Sequence, residues 1–276
     1  MLEGDELRKL QMCELLIADE IKRVCEKNNI SYFIVAGTLL GAVRHGGFIP
    51  WDDDMDFGML RADYDRFVEV CQKELSPDYE LQTWDTDDNY PFSFGKVRLK
   101  NTHIRESFSS PANSYDGIFV DIFPFDNAPD NYDEGKKQER RYYLYKRVLW
   151  IKKGYGQNIK EESIIKHIKY SVSKLICSLI PYKKVKNQFD MIIRKYNGYK
   201  TNKVVFDAPY SYEKNCIDIQ WAKDLSVYEF EGHSYLGIRD YDAYLSHLYG
   251  DYMTLPPEDK RHSHDIVKVD FGPYNL

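Results

Sequence analysis

Four aspartates fall within five positions at Asp52-Asp53-Asp54-Met55-Asp56, with Trp51 just before them and Phe57 just after. Along a strand, residues two apart project from the same face, so Asp54 and Asp56 would present their carboxylates side by side. Two such charges repel. A hard divalent cation such as Mg²⁺, which takes oxygen ligands from carboxylates and substrate phosphates, converts that repulsion into a phosphate-binding site. The alternative is a solvated acidic loop, but Met55 and Phe57 interleaved with the acids, and Trp51 ahead of them, argue for partial burial. A third acid, Asp121, stands in the apolar run Ile118-Phe119-Val120-Asp121-Ile122-Phe123. A buried carboxylate needs a partner. A cation shared with Asp54 and Asp56 would serve, and so would an ion pair with an arginine.

Upstream, Gly37-Thr38 stands where a strand passes into a helix, a junction whose free amides and dipole can cradle phosphate, although Gly-Thr before a helix is also ordinary capping. Lys96 and Arg98 flank Val97 on a predicted strand; they could hold a phosphate, or simply alternate along a wet face. Arg44, leaving the short helix toward the acids, would pair with an aspartate or a phosphate. Arg261, His262 and His264 could supply phosphate contacts or a proton-transfer group, against the alternative of a polar tail loop.

The elements that must position these groups follow from periodicity. Apolar residues at three- and four-residue steps predict a helix over 7–29 that covers a sheet. A strand over 32–36, a helix over 39–44, a strand over 54–59 and a helix over 61–75 come next, then strands over 79–84, 92–99 and 117–123. From 131 to 199 the pattern is helical and basic. Ile164, Ile168, Val172, Leu175 and Leu179, widened by Ile165, Ile176 and Ile180, form a stripe that Pro181 stops, and the stripe is expected to pack on the rest of the chain. A helix over 242–249 and a loop-rich tail close a chain without internal repeats.

At 276 residues, 43% hydrophobic and 30% charged, the chain is neither disordered nor fibrous. The longest weakly polar run, residues 32–43, falls short of the ~20 residues a spanning helix needs, and residues 1–6 lack a basic-then-apolar signal, so a cytoplasmic protein is expected. Five scattered cysteines with no paired spacing read as buried thiols. The net charge of −6 hides segregation: residues 136–200 carry 18 basic and 4 acidic side chains, a net of +14 against −20 elsewhere. Such a segment suggests an anionic partner, and its lysines peripheral contact with the inner face of the plasma membrane. No nucleic acid is expected, because the remainder is acidic and no binding motif is present.

The stretch Gly37-Thr38-Leu39-Leu40-Gly41-Ala42-Val43-Arg44-His45-Gly46-Gly47-Phe48-Ile49-Pro50-Trp51-Asp52-Asp53-Asp54-Met55-Asp56 closely resembles the signature of the LicD family, which includes bacterial phosphocholine transferases and the animal fukutin and fukutin-related proteins. The likeness continues at Asp121-Ile122-Phe123-Pro124, at Leu248-Tyr249-Gly250-Asp251-Tyr252-Met253, at Leu255-Pro256-Pro257 and from Arg261 through His264. The resemblance implies an α/β (α+β) nucleotidyltransferase-like fold, a mixed sheet with flanking helices. Residues 1–130 would form the catalytic core, 131–200 a basic helical insertion, and 201–276 the part completing the catalytic domain. Gly37 and Thr38 correspond to the family's turn, Asp54 and Asp56 to its metal-binding pair, Asp121 to its third acid and Asp52 to a further acidic position. Mg²⁺ or Mn²⁺ on Asp54, Asp56 and Asp121 would grip the pyrophosphate of a CDP-alcohol such as CDP-choline. Asp121 or Asp52 would be the base. The implied reaction moves phosphocholine to a hydroxyl of a cell-surface glycan, such as teichoic acid, capsule or lipopolysaccharide, with an acceptor that can be lipid-linked. Ribitol or glycerol phosphate transfer, and true nucleotidyl transfer, are the alternatives.

Overall fold

The structure, a computed structural model, describes residues 2–107, 116–155, 164–261 and 266–274, and for residues 164–167 the backbone alone. Helix α1 (Gly4–Lys27) buries Leu10, Cys13, Ile17, Ile21 and Val24, the stripe its spacing predicts. Then follow β1 (Phe33–Ile34), α2 (Ala36–His45), β2 (Asp56–Leu60), α3 (Arg61–Glu74), β3 (Tyr79–Gln82), β4 (Gly95–Leu99), β5 (His103–Glu106) and β6 (Phe119–Ala128). The basic stretch folds as α4 (Tyr132–Lys152), α5 (Ile164–Ser178) and α6 (Tyr182–Ile193). The chain continues through β7 (Lys203–Val205), α7 (Tyr212–Asn215), β8 (Cys216–Asp218), α8 (Ile219–Lys223), β9 (Leu225–Phe230), β10 (His233–Ile238), α9 (Tyr241–Tyr249) and β11 (Ile266–Asp270).

Among the described residues nine strands share one mixed sheet, ordered β3-β4-β6-β2-β1-β10-β9, with β7 beside the far end of β6 and β8 beside β7. Strand β6 is its axis: parallel to β2 on one side, antiparallel to β4 and then β7 on the other. Helices α1 and α3 pack together over these central strands. Phe33, Phe57 and Phe125 are fully buried between strands and helices, burial worth roughly 1.5–3 kcal/mol for each such side chain. Tyr32, Tyr90, Tyr235 and Tyr244 are core residues too, so four of the chain's 23 tyrosines are explained by packing without any ligand. Cys13, Cys25, Cys71 and Cys177 are buried thiols, and Cys216 is half-buried.

Three expectations are corrected. Gly37-Thr38 is not a turn between strand and helix: β1 ends at Ile34 and α2 already begins at Ala36, whose φ of 47° supplies the change of direction in one residue. Strand β2 starts at Asp56, so Asp54 belongs to the extended segment ahead of it. The stripe on α5 does not pack on the rest of the chain: Ile168, Val172, Leu175, Ile176 and Leu179 are exposed. The inward positions of that helix are Tyr170, Ser173 and Cys177; the side chains of Ile164 and Ile165 lie outside the described residues. Among the described residues no helix is long and apolar enough to cross a membrane.

Candidate active site

Register alone brings the acids together. Asp56 opens β2 and lies directly opposite Asp121 on parallel β6, while Lys96 on β4 faces Asp121 from the other side. Lys96 Nζ donates to Asp121 Oδ1 at 2.6 Å, resting 3.3 Å from the centre of the Phe119 ring. The ion pair foreseen for Asp121 is thus made by a lysine.

Helix α2 sets the acid segment from above. The Asp56 amide donates to Thr38 Oγ1 at 2.8 Å, and the Val35 amide to the Asp56 carbonyl at 3.1 Å. A Cβ on Gly37 would stand 2.9 Å from Asp52 Oδ2, so glycine leaves the space that Asp52 fills. Gly41 lets the following loop close, since a Cβ there would meet the Gly47 carbonyl oxygen at 2.4 Å. Two distant anchors finish the job: Gln11 of α1 donates to the Asp52 carbonyl at 2.9 Å, and Glu231, in the β9–β10 turn, accepts from the Phe48 amide at 3.2 Å and from Arg8 at 2.7 Å.

The carboxylates are electrostatically strained. Burial, and then the charges of Asp54, Asp121 and Asp52, hold the Asp56 carboxyl well above the usual carboxylate range, with Lys96 opposing. Glu14 of α1 is likewise raised well above it, by burial first and then by Asp54, Asp53, Asp52 and Asp56. Its Oε2 is buried without a hydrogen-bond partner among the described residues. Ligand atoms of Asp52, Asp53 and Asp54 lie within 4.8 Å of one another. An all-oxygen donor set gathered about Asp56, whose ionisation burial and the neighbouring carboxylates disfavour, fits a hard divalent cation, which would relieve both effects.

Asp52, Asp54, Asp56 and Asp121 open together into a cleft of about 1030 Å³, with Gly37 at its edge. Its far wall was not foreseen as part of a site. Tyr143, Lys146, Arg147, Trp150 and Tyr155, from α4 and its end, and Lys169, Tyr170 and Ser173 from α5 line it, along with Phe94, Phe123, Phe206, Tyr210 and Phe92, whose ring packs edge-on against Trp150 and Tyr155. Lys146 pairs with Asp207 at 2.5 Å and lies 4.9 Å from the Trp150 ring centre. Tyr210 and Tyr249 share a hydroxyl contact of 3.1 Å, and both hydroxyls are pushed up chiefly by burial. Aromatic residues interleaved with lysines and arginines over 142–155 were the available signal for this wall.

The remaining candidates divide. Arg98 is buried, donating to Gln82 Oε1 at 2.7 Å and to the Gly117 carbonyl and stacking on Phe119; it ties the sheet edge together rather than facing the cleft. Arg44 donates to the Tyr252 carbonyl at 2.6 Å, linking α2 to the tail. Arg261 stacks on Trp51 at 5.2 Å, immediately beside Asp52. His262 and His264 lie outside the described residues.

Paired acids on adjacent central strands, under a helix whose first turn frames them, define a nucleotidyltransferase-type catalytic domain. The family model described as LicD/FKTN/FKRP, nucleotidyltransferase domain, matches residues 29–164. The chain is 31% identical over 273 residues to the lipopolysaccharide cholinephosphotransferase LicD of Haemophilus influenzae, covering 95% of this chain and 97% of that one. It is also 48% identical over 40 residues to the ribitol 5-phosphate transferase FKRP of Mus musculus and of Homo sapiens, 14% of this chain and 8% of each. The chain belongs to the LicD family and is a phosphotransferase of that type.

Proposed function

We propose that the protein transfers phosphocholine from CDP-choline to a hydroxyl of a cell-surface glycan, with Mg²⁺ or Mn²⁺ held by Asp54, Asp56 and Asp121. The observation that carries the reading is the cleft itself, in which four carboxylates meet walls of aromatic rings. The acids suit a cation and a pyrophosphate. The rings suit a quaternary ammonium, which is attracted to aromatic faces, Trp best of all; Trp150 already has the Lys146 ammonium against its face. Whole-length similarity to a lipopolysaccharide cholinephosphotransferase points the same way.

In this reaction the glycan oxygen bonds to the phosphorus bearing choline, the bond from that phosphorus to the bridging oxygen breaks, and CMP departs. Asp54, Asp56 and Asp121 would hold the cation, which when bound would supply neutralising charge to the pyrophosphate and the phosphoryl oxygens. Asp121 and Asp52 both line the cleft, and either is a candidate to take the attacking hydroxyl's proton. In the first turn of α2 the Ala36 amide donates to the Tyr244 hydroxyl at 3.2 Å, and the Gly37 and Thr38 amides, which have no carbonyl partners within the helix, would favour an anionic phosphate.

Calorimetry in Mg²⁺ with CDP-choline, CDP-ribitol, CDP-glycerol and CTP tests this, followed by product analysis with a lipopolysaccharide acceptor. CDP-choline is expected to bind best and to release CMP. Preference for CDP-ribitol or CDP-glycerol would make the protein a polyol-phosphate transferase. Preference for CTP with pyrophosphate release would make it a nucleotidyltransferase, and binding of none would sink the reading.

A further inference from the structure

Helix α5 has two faces in different environments. On one, Tyr170 and Ser173 line the cleft, the Tyr170 hydroxyl donates to the Tyr155 carbonyl at 3.2 Å, and Cys177 is buried. On the other, Ile168, Val172, Leu175, Ile176 and Leu179 are 58%, 50%, 69%, 58% and 79% exposed. Their spacing, i, i+4, i+7, i+8 and i+11, makes one continuous apolar stripe. A solvated helix carries polar residues on its outer face, and an apolar one of this extent marks an interaction surface. The helix end is secured, because Lys152 Nζ donates to the carbonyls of Cys177 at 2.7 Å and Ile180 at 2.6 Å. Exposed Lys174, Lys183 and Lys184 accompany the stripe, within the segment of net charge +14.

We propose that α5 lies in the interface of an anionic lipid bilayer, its apolar stripe sunk at the headgroup–acyl boundary and its lysines among the headgroups, with the cleft directly behind it. Charge selects this occupant. Anionic lipid attracts each nearby lysine or arginine by about 1 kcal/mol, whereas a two-fold symmetric contact through α5 with a second copy of the chain would set one +14 segment against another. The assignment does not depend on which group the enzyme transfers. Its consequence is that an acceptor carried on a lipid meets the cleft at the surface where it resides.

Flotation of the full chain tests it, with vesicles of phosphatidylcholine alone or mixed with phosphatidylglycerol, at low and at high salt. Wild-type protein is expected to float with the anionic vesicles at low salt and to be released by high salt. Leu175→Asp combined with Leu179→Asp, both at exposed positions, should weaken binding by about tenfold or more while melting temperature and far-ultraviolet dichroism stay as in wild type. Lys183→Glu combined with Lys184→Glu should weaken it and reduce its salt dependence. Failure of wild type to float at low salt overturns the proposal. So does a leucine variant that floats as wild type does. A wild-type dimer in sedimentation velocity that the leucine substitutions dissociate would assign the stripe to a second copy instead.

Discussion

Replacing Thr38 with valine keeps the outline of the side chain and removes one acceptor. Thr38 is 3% exposed, and its Oγ1 receives the Asp56 amide at 2.8 Å. Valine leaves that amide without its partner, a cost of about 1–3 kcal/mol. At about 2–4 °C per kcal/mol for a chain of this size, the melting midpoint falls by roughly 2–12 °C. Serine keeps the oxygen and gives up one methyl group, about 0.8 kcal/mol. The two stability losses overlap, so activity must separate them. The lost bond is the one that fixes where β2 begins and so where the Asp56 carboxylate enters the cleft. A displacement there of about an ångström costs turnover on the order of 10- to 100-fold. Thr38→Val should therefore lose that much Mg²⁺-dependent CMP release from CDP-choline in the presence of a lipopolysaccharide acceptor, while Thr38→Ser stays near wild type. Wild-type turnover in the valine variant, or equal impairment in both, would refute the positioning argument.

Asp54→Asn and Asp56→Asn should each abolish most turnover while the metal-free melting temperature holds or rises, because each removes one of several mutually repelling charges; thermal melts in EDTA alongside the activity assay check both halves. Folded Asp56 and Glu14 keep their protons to higher pH than the unfolded chain does. The native state therefore binds more protons between the unfolded and folded values, and stability falls as pH rises through that window. Melting in EDTA from about pH 5 to about pH 8 should show the decline and Mg²⁺ should flatten it; a rising or flat EDTA curve contradicts the sign. Arg61 and Asp126, 8% and 7% exposed, form a two-bond ion pair at 2.8 and 2.6 Å. Arg61→Ala leaves the buried carboxylate without its counter-charge, with the Asn197 amide still donating to it at 2.6 Å, and should cost about 3–5 kcal/mol in denaturant unfolding; a loss below about 1 kcal/mol would show the pair to be solvated. Trp150→Ala should weaken CDP-choline binding by about tenfold and CDP-ribitol binding less, and equal loss for both would separate Trp150 from the ammonium.

The acids were legible for two reasons: Asp121 is a lone carboxylate in an apolar run, which is anomalous whatever its neighbours, and Asp54 and Asp56 alternate with Met55 and Phe57. Strand pairing was less so. Alternation over 54–59 and an apolar run over 117–123 pointed to strands, which the structure forms at Asp56–Leu60 and Phe119–Ala128, but nothing local shows that Asp56 stands opposite Asp121. Lys96 and Arg98 look identical in sequence, two basics around a valine; their different roles depend on Asp121, Gln82 and Gly117, which fold next to them from elsewhere. The β9–β10 hairpin did leave a local trace, Glu231-Gly232 between two short runs, and both residues adopt positive φ, 53° and 79°, as two-residue hairpin turns require. On α5, amphipathicity was plain, but the pattern alone does not say which face meets the protein. The face chosen inward is the small and polar one, because the cleft is there.

Strands β6 and β7 are hydrogen-bonded neighbours, Asp126 opposite Val205 and Ala128 opposite Lys203. Everything between them, including α4, α5 and α6, therefore departs from the sheet and rejoins it at adjacent backbone positions. The sheet's pairing constrains only the two ends of this excursion. Lengthening it costs little, since the entropy of closing a loop grows only with the logarithm of its length. One wall of the cleft is in this sense a detachable panel. The acids and their supports in α2 and β2 sit outside it, so a graft of the corresponding segment from another LicD-type enzyme, joined at Ala128 and Lys203, would exchange the wall proposed to meet the transferred alcohol and leave the four acids in place.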